Sequence, residues 1–262
     1  MPIKIATWNV NSIKSRLGGV IAWLKENSPD IVLLQELKCE TQAFPYLEIE
    51  ELGYNVAATG QKTYNGVAIL SKFPIEETIK TLPGDDADTA ARYIESVISI
   101  SGQILRVASV YVPNGKSPDS EKFLYKLKFL ERLKAHAEKL LEYDEALIIG
   151  GDYNVAPSAI DVFDPIRLEG TTCFHPAERA RLNAILHLGF TDVFRAAHPE
   201  KHQYSWWDYR AGAFQQNQGM RIDLLLASPR AADLVTDSGI DERPRASEKA
   251  SDHAPVWCEL EI

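Results

Sequence analysis

Residues 147–157 read LIIGGDYNVAP, and no other stretch limits the possible fold as narrowly. A short apolar run with Ile148 and Ile149 fits a strand buried on both faces, and Gly150 and Gly151 let the chain turn sharply after it. Asp152 and Asn154 follow at once. Strands covered on both faces belong to layered α/β folds, which present functional groups from the loops at strand ends. Asp152 could equally close an Asx turn by bonding to nearby backbone. On this stretch alone both readings stand.

The pattern recurs along the chain. Ile3 to Val10 has strand chemistry, and the polar Asn9, Asn11 and Ser12 fall where it gives out. Leu17, Val20, Ile21 and Leu24 then repeat at helical spacing until Asn27, Ser28 and Pro29 stop the helix. Asp30 to Leu34 reads as a second strand, and Gln35 and Glu36 follow it directly. Alone, Glu36 reads as half of a surface salt bridge. Gly66 to Ser71, Tyr93 to Ile100 and Ile104 to Val112 are further strands, the last running into YVPNG with Tyr111 and Asn114. Most tyrosines only pack, so Tyr111 is also readable as a core aromatic.

Ser117 and Pro118 make a cap and first turn for a helix whose Phe123, Leu127, Leu130, Leu133 and Leu140 share one stripe. Its charges form the solvated face. A later helix spans Ala177 to Leu188 and ends at Gly189. HQYSWWDYR, from His202 to Arg210, concentrates aromatics that could stack on bases or simply fill a core. Met220 to Ala227 reads as a buried strand, MRIDLLLA, in which Asp223 needs a partner, and a histidine is the natural one. Asp252 and His253 stand just before a final strand that begins near Pro255.

Alternating strands and helices, with no repeat and no linker, predict one domain over residues 1–262. Its fold class is α/β: two mixed sheets packed face to face with helices outside. A net charge of −9 argues against a passive nucleic-acid coat protein but not against an enzyme whose carboxylates hold a cation. Cys39, Cys173 and Cys258 lie far apart, without metal spacing, and the opening residues lack the features of a signal peptide. A cytoplasmic location, with no membrane span, is expected.

The strand-end groups Asn9, Glu36, Tyr111, Asp152, Asn154, Asp223, Asp252 and His253 can meet at one rim of packed sheets. Hard oxygens from Glu36 and Asp252, with Asn9 and Asp152, suit magnesium or manganese and not zinc. With a histidine beside them, such groups serve metal-assisted attack of water on phosphorus.

TWNVNS, LLQELK, YVPNG, IIGGDYNVAP, RIDLLLAS and SDHAPV occur in this order over nearly the whole chain. As a set they resemble the exonuclease III family of apurinic/apyrimidinic endonucleases, within the endonuclease/exonuclease/phosphatase superfamily. The resemblance implies a four-layer α/β sandwich of the DNase I-like kind. It implies Glu36 as principal metal ligand, supported by Asn9 and Asn11, with Asp152, Asn154 and Asp252 completing a Mg2+ or Mn2+ site. Asp152 would activate water that Asn154 places, and Tyr111 would bind the scissile phosphate or assist the leaving group. Asp223 would fix the tautomer of His253, whose imidazole would contact a phosphate oxygen. DNA contacts are implied for Asn11, Arg92, Asn114 and Trp206, with Lys116, Lys122 and Lys126 as further candidates. The implied partner is double-stranded DNA with abasic sites or damaged 3′ ends, bound by a monomer. A phosphodiesterase or phosphatase of the same superfamily, acting on RNA or small phosphate esters, is the alternative.

Overall fold

The computed structural model describes residues 2–262. In chain order its strands are β1 (Pro2–Asn9), β2 (Ile31–Gln35), β3 (Asn55–Thr59), β4 (Val67–Ser71), β5 (Ile75–Ile79), β6 (Tyr93–Ile100) and β7 (Gln103–Tyr111). They continue with β8 (Ala146–Asp152), β9 (Thr191–Asp192), β10 (Trp206–Trp207), β11 (Gly219–Met220), β12 (Asp223–Ala227), β13 (Val235–Ile240) and β14 (Val256–Glu261). The helices are α1 (Ile13–Asn27), α2 (Tyr46–Glu50), α3 (Glu121–Leu141), α4 (Pro165–Leu168), α5 (Pro176–Leu186), α6 (Val193–Ala197) and α7 (Pro229–Ala232).

Two six-stranded sheets carry the fold, ordered β13-β14-β1-β2-β4-β3 and β5-β6-β7-β8-β12-β9. β1 runs parallel to β2 and β7 parallel to β8, while their other pairings are antiparallel, so both sheets are mixed. Ile5, Leu33 and Ile69 of one sheet share a core with Val107, Ile148 and Leu225 of the other. On the outer faces, α1 packs Val20, Trp23 and Leu24 against Val32 and Leu70, and α3 packs Phe129, Leu130 and Leu133 against Leu147 and Ile149. Helix, sheet, sheet and helix give the four expected layers.

Gly150 and Gly151 do not form a turn. Both lie inside β8, where a side chain has no room. A Cβ on Gly150 would come within 2.6 Å of Leu33 and Leu225, and one on Gly151 within 1.9 Å of the Val110 carbonyl. The glycines let the second sheet approach the first and keep β7 and β8 in register. Gly151→Ala is therefore expected to lose roughly 1–3 kcal/mol of stability in urea unfolding, as overpacking of a tight interior does.

Other elements also differ from the sequence reading. Helix α3 starts later, capped by Ser120, whose Oγ accepts from Phe123 N at 3.3 Å. Ser117 belongs to the preceding turn, its carbonyl accepting from Ser120 N at 2.9 Å. Strands β3, β5 and β13 escape the apolar-run signal, and β5 is an exposed edge with two glutamates at its centre. Met220 to Ala227 is not one strand either. β11 pairs with β10 in a small separate ribbon, and the ladder to β8 resumes only at Asp223.

Between β11 and β12, the fully buried Arg221 turns onto Asp161 at 2.7 Å and Asp192 at 2.7 Å. Burial alone would push the Asp161 carboxyl up, but the Arg221 charge and hydrogen bonds from Arg221, Arg195 and Ser158 outweigh it and hold it below its usual value. That stabilisation is fully present above the ordinary carboxyl pKa of about 4 and is lost as pH falls through the lower folded value. Asp161→Asn is expected to cost about 3–5 kcal/mol at neutral pH, because Arg221 is left buried with one partner fewer. Urea titrations of both proteins check this, and the difference should shrink in acid.

Candidate active site at the sheet rim

Strand register builds the site. Parallel pairing of β1 with β2 sets Asn9 opposite Gln35, so Glu36 emerges one residue beyond the same edge. Parallel pairing of β7 with β8 sets Tyr111 opposite Asp152, and antiparallel pairing of β12 sets Asp223 on its other side. Just before β14, the Ser251 hydroxyl donates to Asn9 O at 2.6 Å, and Trp8 Nε1 donates to His253 O at 3.1 Å. Residues remote in sequence thus meet because strand ends of both sheets share one rim. Asn11, Glu36, Lys38 and Asn154 hold left-handed backbones there, with φ of 45°, 52°, 52° and 50°. Such conformations are uncommon outside glycine and cluster at functional sites.

Asp152 lies at the centre, 1% exposed. Its Oδ1 accepts from Asn154 N at 2.9 Å, the Asx-turn bond that the sequence allowed. Its Oδ2 accepts from Asn9 Nδ2 at 2.9 Å and Asn154 Nδ2 at 3.0 Å, and His253 Nε2 stands 3.8 Å from it. His253 Nδ1 pairs with Asp223 Oδ2 at 2.8 Å. The Ser205 hydroxyl accepts from Ile222 N at 3.1 Å and Asp223 N at 3.0 Å and donates to Asp223 Oδ2 at 2.6 Å. The buried Asp223 therefore has the histidine partner it needs, and a hydroxyl that fixes its orientation.

Charges at the rim push one another. Burial, with the neighbouring charges of Asp223 and Glu36, raises Asp152 to about 7 against the opposing pull of His253. Burial would lower His253, but Asp223 and Asp152 outweigh it and hold the imidazole in its charged form. For Glu36, burial is overcome by Lys38 and by the bond from Asn9, and the carboxyl stays below its usual value. Tyr111 is raised well above an ordinary phenol by burial and by Glu36 and Asp152, so it remains a proton-bearing donor.

Glu36 and Asp152 bring two hard carboxylates within 4.8 Å of one another, with the charged His253 ring beside them. That donor set fits a divalent cation of the magnesium kind. The other expected ligands are arranged differently. Asn9 turns its Nδ2 to both carboxylates, at 2.9 Å each, and its oxygen to Asn11 N, so it clamps the acids together. Asn154 likewise donates from Nδ2 to Asp152, and its Oδ1 accepts from Asn114 Nδ2 at 2.9 Å. Asp252 has both oxygens engaged, by Asn11 Nδ2 at 2.8 Å and Trp206 Nε1 at 3.0 Å, and stands outside the close group.

A cleft of about 370 Å³ opens over these groups, lined by Trp206, Met220 and Ile222 on one side and Asn114 and Thr172 on another. Trp207 next door is fully buried core. Arg92 lies with its guanidinium 4.6 Å over the Tyr111 ring, donating to Tyr111 O at 3.3 Å, so it braces the tyrosine. Lys116 and Lys122 are exposed, whereas Lys126 is fully buried against Glu178 and cannot meet a ligand. Sequence reasoning missed Lys38, whose Nζ lies 2.7 Å from Glu36 Oε2, and Ser205. Their only signals were adjacency to the motifs, in QELK and SWWDYR.

The profile of the Endonuclease/Exonuclease/phosphatase family matches residues 6–253. Over 98% of the chain and all of the relative, it is 36% identical to exodeoxyribonuclease III of Haemophilus influenzae. A solved AP endonuclease from Archaeoglobus fulgidus superposes with a TM-score of 0.93 at 42% identity, covering 99% of this chain and 100% of that one. A 3′ phosphatase from Neisseria, solved bound to a product DNA hairpin, gives 0.95 at 38% identity over the same shares.

Proposed function

Because the chain belongs to the endonuclease/exonuclease/phosphatase family, we propose that it is a metal-dependent DNA repair nuclease. It hydrolyses the phosphodiester 5′ to abasic sites in duplex DNA and trims nucleotides or blocking groups from 3′ ends. The observation that carries this reading is Asp152, buried between Glu36 and the His253–Asp223 pair and facing a cleft walled by Trp206.

Asp152, its carboxyl pushed up by burial, faces the cleft as the acceptor for a proton from water. Asn9 and Asn154 hold its carboxylate through three hydrogen bonds while it does so. His253 bears positive charge toward a phosphate oxygen, and Asp223 with Ser205 keeps its ring oriented. Tyr111 offers its phenol proton to the phosphate or the leaving oxygen. Glu36 and Asp152 would hold magnesium or manganese, and the bound cation would supply neutralisation of the phosphoryl charge. Trp206 and the apolar Met220 and Ile222 line space for a sugar that lacks its base, which leaves the helix without loss of stacking or pairing.

A duplex carrying one abasic site, incubated with Mg2+ and with EDTA, tests the reading. Incision 5′ to the lesion only with metal is expected, and an intact duplex with metal present sinks it. Parallel assays on 3′-phosphate and plain recessed ends rank the activities, since the relatives include both an AP endonuclease and a 3′ phosphatase.

A further inference from the structure

Lys126 sits in the second turn of α3, yet its side chain is 0% exposed, and so is that of Glu178 on α5. Lysine is rarely enclosed completely, since each N–H left without an acceptor in the interior is costly. Here each of the three amine protons has one. Nζ donates to Asn114 O at 3.1 Å, to Asn154 O at 2.6 Å and to Glu178 Oε1. Glu178 in turn receives Cys173 N at 3.3 Å and His175 N at 3.0 Å, which ties down the start of α5.

A buried ion pair is weak evidence for a gain in stability, because two apolar side chains of similar volume serve as well or better. Apolar side chains could not hold two main-chain carbonyls, and both carbonyls belong to residues at the rim. Asn154 is the residue whose N–H and Nδ2 grip the two oxygens of Asp152, and Asn114 Nδ2 grips Asn154 Oδ1. Its backbone is left-handed, with φ 50°, a conformation that asparagine tolerates better than most residues. With N–H, side chain and carbonyl all fixed, Asn154 has no freedom to rotate, and the carbonyl restraint comes from Lys126.

We propose that Lys126 is a positioning residue, which pins the carbonyls of Asn114 and Asn154 from beneath and thereby sets the orientation of the Asp152 carboxylate. Glu178 only balances its charge. The inference rests on Asp152 being the catalytic base, as proposed above.

Four proteins test it: wild type, Asp152→Asn, Glu178→Gln, and the double variant Lys126→Met/Glu178→Gln, which removes both charges together. Melting temperature is measured for each, with kcat and KM on the abasic duplex in Mg2+. Glu178→Gln keeps the amine on both carbonyls, so it should melt lower but retain kcat within about twofold of wild type. The double variant should fold and keep KM, while kcat falls by roughly ten- to a hundredfold, the scale on which a slightly misplaced catalytic group acts. A folded double variant with wild-type kcat overturns the proposal. So does one that fails to fold, which would assign Lys126 to the scaffold alone. If Asp152→Asn keeps its rate, the site reading fails first and the inference with it.

Discussion

Asp152→Asn is expected to lower kcat on an abasic duplex by about 10²- to 10⁴-fold, the contribution usual for a positioned general base. Affinity for the same duplex should hardly change, because a group acting mainly in the transition state adds little to ground-state binding. Asparagine fits the space but cannot accept a proton. It also turns an NH2 toward donors: Oδ2 now receives both Asn9 and Asn154, and Oδ1 receives Asn154 N. Single-turnover incision gives the rate, and fluorescence anisotropy at fixed salt gives binding. A variant that binds normally and cleaves within tenfold of wild type would remove Asp152 from the chemistry.

Withdrawal of divalent cation is the second large effect expected. Chelation should abolish incision, and Mg2+ should restore it, because Glu36 and Asp152 are carboxylates set close together that need a cation between them when phosphate adds further negative charge. Melting offers a readout independent of turnover. A ligand bound only by the folded state stabilises it by about 2.7 kcal/mol at a hundredfold excess over Kd. Mg2+ should therefore raise the melting temperature of wild type and have little effect on Glu36→Gln. Without the cation, Lys38 at 2.7 Å supplies the counter-charge to Glu36. An equal Mg2+ shift in both proteins would place the metal elsewhere.

The legible part of the site came from one rule, that buried strands deliver polar groups at their ends. Glu36, Tyr111, Asp152 and Asp223 follow it directly, and the buried Asp223 called for a histidine before any geometry was known. The choice posed for Asp152 between turn and site was not a real one. The Asx bond to Asn154 N is formed, and the same carboxylate also lies beside Glu36 and His253 at the rim. What the sequence hid depends on contacts across the fold. The two glycines of β8 read as a turn because nothing local reveals Leu33 and Val110 pressing on them. Lys126 read as one charge on a solvated helix face, since its partner Glu178 lies 52 residues further on. Asn9 and Asp252 carry metal-binding atoms, but which neighbour claims those atoms is decided by loops that meet only in three dimensions.

Strand β14 lies between β13 and β1, and the loop before it brings His253 to the rim. Asn9 and Asp152, which bond to each other, are 143 residues apart, and Trp8 and the His253 carbonyl 245. During synthesis, a chain that has just delivered Asp223 already carries Asn9, Glu36, Tyr111 and Asp152, but its first sheet still lacks β14, one of the two strands that pair with β1. Long-range pairings of this kind form late in folding. His253 therefore joins Glu36, Asp152 and Asp223 only once β14 has paired with β1, so the full set of rim groups exists only in the assembled pair of sheets.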